Sequence, residues 1–203
     1  EEEQVPEVNQ APLYPPLDEE HEEVEDQTVL QDLRATGGAG WIPKNVIGNL
    51  VHKAIQRWVF PGDARFDILL RTAALDAGLA TEVQVQAAVD ASVELLKRVA
   101  SHPIRNEIEG AAEHYHEVPY SRMVGDHTET GYIDLLFRDE TGWQIVDFKT
   151  DAIVSENHRA EMVEMYASQM RRYAGAIETL LGESAQVRIC FLDDMGKVGV
   201  VEI

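Results

Sequence analysis

Cysteine is almost absent from this 203-residue chain: Cys190 stands alone. No disulfide framework can form within it, the usual thiolate zinc sites are excluded, and a reducing cytoplasm is the expected setting. Cys190 lies in the apolar run Val187 to Leu192 and reads as a small buried hydrophobe. There is no apolar run of about 18 residues and no signal-peptide pattern, so no membrane partner is expected. An initiator methionine is also missing before Glu1, and the chain reads as a piece of something longer. Positive charge is scarce, with 17 Lys and Arg against 37 Asp and Glu, a formal net charge of −20. Residues 1–33 hold 12 of the acids and neither Lys nor Arg, leaving 25 acids against 17 bases for the rest. Such a surface binds nucleic acid poorly without help, because that affinity comes largely from neutralising phosphates. A nucleic-acid substrate would have to be delivered by another domain or subunit.

What is present is 44% hydrophobic residues, enough for a core in one mixed α/β domain. Residues 1–42 carry four prolines, the acidic run Asp18 to Asp26 and the cluster Gly37-Gly-Ala-Gly40, and read as an extended linker. A short helix over 26–34 is its only candidate element. The glycine cluster lacks the Gly-Lys-Ser/Thr ending of a phosphate loop and follows no strand. From Pro43 an apolar stripe of Ile47, Leu50, Val51, Ala54, Ile55 and Trp58 predicts a helix capped by Asn45. Further helices are expected over 64–80 and 81–102, with Pro103 ending the latter. Strands follow over 112–123, 128–138 and 143–150, then a long helix over 156–181, then strands over 187–192 and 198–203. No internal repeat is evident.

The most informative stretch is Gly131 to Thr150, a β-hairpin pattern that puts charges where apolar groups belong. With a loop at 139–142, Arg138 faces Trp143, Leu136 faces Ile145, Asp134 faces Asp147 and Tyr132 faces Lys149. All eight side chains then share one face. Two carboxylates opposite one another, with Cβ atoms ~5 Å apart, destabilise a sheet. A bound divalent cation reverses the sign of that effect. Lys149 adds a positive group beside the pair. The competing reading is a solvated strand end, against which Leu136, Trp143 and Ile145 argue for an inward face.

Other residues could join this site. His52, one turn after Gly48, is either a metal ligand or a partly buried histidine with one hydrogen bond. Gly48 would let another backbone come close. Glu117, before Pro119, is an additional carboxylate or a solvated edge charge. On the long helix Tyr166, Gln169, Tyr173, Ile177 and Leu180 fall on one face, and Gln169 there either binds a phosphate, base or catalytic group or is satisfied by backbone. His114 and His116 share a strand face and form a weak candidate zinc pair.

Taken in order, Gly48-Asn-Leu-Val-His52, Glu117-Val-Pro-Tyr120, Gly131-Tyr-Ile-Asp134, Asp147-Phe-Lys149-Thr150 and Gln169-Met-Arg-Arg-Tyr173 resemble the motif set of RecB-type nucleases in the PD-(D/E)XK superfamily. The resemblance covers residues 43–203 as one nuclease domain. It implies a restriction-endonuclease-like α/β core, a central mixed sheet flanked by helices with an N-terminal helical section. Such domains often follow UvrD-like helicase domains of the AddA and RecB kind in DNA repair and recombination. It further implies Mg²⁺, replaceable by Mn²⁺, held by His52, Asp134, Asp147 and the Phe148 carbonyl. Asp134, Asp147 and Lys149 would be catalytic, with Glu117, Gln169 and Tyr173 in support. The iron–sulfur cluster of some relatives needs four cysteines and cannot form here. The expected activity is exonucleolytic hydrolysis of single-stranded DNA fed by a helicase. The alternative is a catalytically silent nuclease-fold scaffold or DNA-binding module.

Overall fold

The computed structural model describes residues 42–203, so the expected linker, apart from Ile42, lies outside the described residues. The 26–34 helix and the glycine cluster lie there as well. Four helices come first: α1 Lys44–Gln56, α2 Phe66–Asp76, α3 Glu82–Ala100 and α4 Pro103–Gly110. Three strands follow, β1 Glu113–Val124, β2 His127–Asp139 and β3 Gly142–Ile153, then α5 Glu156–Leu181, β4 Ala185–Asp194 and β5 Lys197–Glu202.

The sheet runs in sequence order, β1-β2-β3-β4-β5. Every neighbouring pair is antiparallel except β3 and β4, which are parallel and joined by the crossover helix α5. Burial on both faces explains the near-continuous apolar runs of the central strands. On β3, Val146 and Phe148 join a core with the N-terminal helices. Trp143 and Ile145 alternate to the other face and pack with Met170, Tyr173 and Ile177 of α5. On β4, Cys190 and Leu192 face the first core and Val187, Ile189 and Phe191 the second. Cys190 is fully buried, and burial pushes its thiol up to about 12, so it behaves as the expected small hydrophobe.

The helix ends follow local chemistry. Thr81 caps α3 by accepting the Gln84 N–H, and Ser155 caps α5 by accepting that of His158. Gly182, with φ of +72°, closes α5 in the left-handed conformation that glycine adopts freely. One expectation fails here and another is incomplete. Asn45 does not cap α1, because Pro43 occupies that position and Asn45 sits inside the first turn. Pro103 does more than end α3: it opens α4 at its first position, where its missing N–H costs nothing, and His102 Nδ1 accepts the Ile104 N–H.

A candidate active site at a shared break in two strands

The expected hairpin register holds close to the turn, with Arg138 opposite Trp143 and Leu136 opposite Ile145. The Asp139 carboxylate ties this turn by accepting the N–H groups of Thr141 and Gly142. The ladder between β2 and β3 then ends at Leu135 and Val146, so Asp134 and Asp147 do not form a rung. Instead, Asp134 Oδ2 accepts the Phe148 N–H at 2.9 Å.

The reason lies one strand further out. Tyr115 on β1 stacks toward Trp143 on the α5 side, whereas the next residue on that side is Val118, followed by Tyr120. On β2, Leu136 and Ile133 both face α5 although three residues apart. Each strand therefore reverses its facing once, at Glu117 and at Asp134, the pair missing from the β1–β2 ladder between His116 with Leu135 and Val118 with Ile133. Glu117 has φ of +52°, a backbone conformation that costs a non-glycine residue about 1–3 kcal/mol. Strain of this kind concentrates at functional sites. The break turns Asp134 toward α1, while Asp147 stays on the α5 side.

Each carboxylate meets a protein cation. Asp134 Oδ1 lies 3.5 Å from His52 Nδ1 of α1. Burial would lower the His52 imidazole, but the charges of Asp134 and Asp147 outweigh it and raise it to about 9. Burial likewise works against ionising Asp134, and the His52 charge, the Phe148 N–H and Lys149 override it and hold Asp134 below the usual carboxylate range. Asp147 Oδ2 lies 2.9 Å from Lys149 Nζ but without a hydrogen bond's alignment, leaving that buried oxygen without a donor. Burial lifts Asp147 to about 6, with Asp134 adding to the rise and Lys149 opposing it.

Gln169 is the partner of Lys149. Its Oε1 accepts from Nζ at 3.0 Å, and its Nε2 donates to Tyr173 Oη at 2.8 Å, which fixes the amide's orientation. Of the partners left open for Gln169 by the sequence, side chains and not backbone are the ones observed. Tyr166 lies under Lys149 with the ammonium 4.2 Å from its ring centre, and its hydroxyl donates to Asp151. Leu180 leaves this row and is half exposed. Glu117 is brought to the site, and burial with the Asp134 charge raises its carboxyl. Phe148 places its ring in the helical core and its amide at Asp134.

Other expectations are corrected. Tyr132 does not face Lys149; the reversal at Asp134 swings it to the opposite side of the sheet from Ile133. Gly48 is approached by a side chain and not by backbone, since a Cβ there would meet Thr150 Oγ1 at 3.3 Å. Thr150, the last residue of the Asp147 to Thr150 motif, is given no role of its own by the sequence. His114 and His116 stack 5.5 Å apart, yet the described residues offer them no further ligand. Both His116 ring nitrogens are buried without partners beneath Trp58, and burial, then the His114 charge, lower its pKa to about 4. A folded-state value below the unfolded one means that stability is fully present above pH ~6.5 and is lost as pH falls toward 4. Urea titrations should show His116→Phe raising stability by about 1 kcal/mol at pH 7, since two unsatisfied nitrogens disappear, and more at pH 5. An unchanged pH dependence in the variant would refute the assignment.

Two carboxylates, one of them with a buried oxygen that lacks an aligned donor, and an imidazole are a donor set suited to a divalent cation. The described side chains stand paired with protein cations and not as a finished cage of three or more ligands. An α/β sheet carrying two acids and a lysine on adjoining central strands, with a glutamine from the crossover helix, has the architecture of a restriction-endonuclease-like nuclease core. The chain belongs to the PD-(D/E)XK nuclease superfamily, whose family description matches residues 29–202. It is 30% identical over 182 residues to an ATP-dependent helicase/nuclease subunit of the AddA type from Lysinibacillus sphaericus, covering 82% of this chain and 14% of that protein. The corresponding protein of Carboxydothermus hydrogenoformans is 28% identical over 193 residues, covering 86% and 15%. The likeness to RecB-type and AddA-type nuclease domains is thereby borne out, and the chain spans only a small part of those relatives. A solved structure from Eubacterium rectale, described as a candidate exonuclease, shares the fold with a TM-score of 0.56 at 10% identity, over 85% of this chain and 63% of the other.

Proposed function

We propose that this domain is a divalent-metal-dependent deoxyribonuclease that hydrolyses single-stranded DNA delivered by helicase domains of the same polypeptide or a partner subunit, in DNA repair or recombination. The observation that carries this reading is the side-by-side pairing of Asp134 with His52 and of Asp147 with Lys149 where the β2–β3 ladder stops. The helicase names of the relatives supply the delivery step, which the acidic composition independently calls for.

Mg²⁺ or Mn²⁺ held by Asp134, Asp147, His52 and the Phe148 carbonyl would polarise the scissile phosphate and lower the pKa of a bound water. The remaining work falls to the protein. Lys149, held by Gln169, offsets the charge that grows on the phosphate oxygens as water attacks and the 3′ oxygen departs. Turning the Gln169 amide would set its Nε2 against the ammonium, so the amide stays as it is and Nζ is positioned before substrate arrives. Tyr166 beneath the ammonium stabilises the cation without competing for its protons.

The test is cleavage of single-stranded DNA with Mg²⁺ or Mn²⁺, compared with the metal-free protein and with Lys149→Ala. Metal-dependent cleavage falling about 10²-fold in Lys149→Ala is expected. Equal product in all three samples removes the proposed site.

A further inference from the structure

Beyond the break, the β1–β2 hairpin continues as an arm with two unlike faces. One faces α5 and is filled: Arg122 pairs with Glu129 at 2.9 Å, and a Cβ at Gly175 would collide with the Arg122 guanidinium. The other face carries three consecutive cross-strand pairs, Pro119 with Tyr132, Ser121 with Thr130 and Met123 with Thr128. All six are exposed, Met123 at 64% and Tyr132 at 37%, and none is charged. In a chain of net charge −20 this is a strip on which a phosphate chain meets no carboxylate. It runs about 14 Å, four residues of strand, and opens at its inner end on Asp134 and Glu117 with Lys53 beside them.

We propose that this bare face is a single-strand track, with Tyr132 as the platform on which a base next to the scissile phosphate stacks and the Ser121 and Thr130 hydroxyls facing the backbone. The inference rests on the nuclease reading of the adjoining site. An unpaired base is the ligand that fits: stacking on an exposed tyrosine is sequence-tolerant and needs a free base face. The strip is continuous with the carboxylates, since the reversal at Asp134 turns Tyr132 and Asp134 to the same side of the sheet. A duplex keeps its bases stacked inside and gains nothing from this platform.

Fluorescence anisotropy with labelled oligothymidylate, in EDTA at low ionic strength, tests the track without any cleavage. Tyr132→Ala should weaken binding about tenfold and Tyr132→Phe less than about twofold, because the ring alone carries the stack. Thr130→Asp, placing a carboxylate mid-track, should weaken it as well. With Mg²⁺ present, Tyr132→Ala should raise KM about tenfold on single strands and leave kcat within about twofold. Unchanged affinity and KM in Tyr132→Ala overturn the track while leaving the nuclease assignment intact. An equal loss on blunt duplex overturns the single-strand assignment. Absence of cleavage by the wild type would instead strike the underlying nuclease reading, and the EDTA binding result would still decide the track.

Discussion

Replacing Asp147 by Asn should abolish nuclease activity, by about 10²–10³-fold in kcat, and at the same time make the metal-free protein more stable. The two effects have one cause. Asp147 is 2% exposed, and burial, reinforced by the Asp134 charge against the pull of Lys149, holds its carboxyl at about 6. The folded value lies above the unfolded one of about 3.9, so the fold binds the proton more tightly than the unfolded chain. Stability from this group is present below pH ~4 and declines as pH rises through about 6. At pH 8 the ionised carboxylate costs the metal-free fold on the order of 3 kcal/mol. The pull of Lys149 is already part of that cost, so the uncharged amide removes most of it, for a gain of about 2 kcal/mol. Urea melts in EDTA at pH 8 and pH 4 should show the gain at the higher pH only. An Asp147→Asn protein that is inactive because it is unfolded, or as active as the wild type, contradicts the assignment.

The largest loss of stability is expected from Arg159→Met. At the β4–β5 hairpin, Asp194 is 1% exposed and its Oδ2 takes a 2.6 Å bond from Arg159 Nη1 of α5, while Oδ1 has no partner. Removing the arginine strands a buried carboxylate, at a cost of about 3–5 kcal/mol. Little can relax around it, because a Cβ at Gly199 would already fall 2.7 Å from Asp194 Cβ and Cγ. Adding Asp194→Asn to Arg159→Met should recover more than half of the loss, since no charge is then left unpaired. The neighbouring Asp193 is clamped from the opposite face by Arg98 of α3, so the hairpin is pinned by both helical layers. If chemical denaturation of the single and double variants gave additive losses, the pair would not be coupled as described.

The layered α/β plan was legible because period-two and period-3.6 patterns carry it. Glu156–Leu181 emerged with its expected bounds, helped by Ser155 before it and Gly182 after it. The turn-proximal rungs of the β2–β3 hairpin were also legible, as the Asp139-Glu-Thr-Gly142 turn fixes them. Illegible was the reversal at Glu117 and Asp134. Alternation extrapolates facing residue by residue, and nothing in the letters announces a glutamate at positive φ. Every misplacement on β2 descends from that point, including Tyr132 set against Lys149. The second role of Pro103 was not foreseen because proline both stops and starts helices. Gln169 and Tyr173 were placed on the right face by helical spacing, but the hydrogen-bond chain that runs from Lys149 to them depends on a strand 20 residues away.

The placement of His52 on α1 and Gln169 on α5 also bears on the order of assembly. The two helices lie on opposite faces of the sheet and each supplies the partner of one carboxylate system. Neither Asp134 nor Asp147 can leave water at low cost until its own helix has docked. The site's contacts thus span distant sequence and belong to the closing stage of folding, after the hairpins exist. Mutations among them should quicken unfolding far more than they slow refolding. A partly folded chain would carry the strands of the sheet and none of the paired charges that the two helices complete.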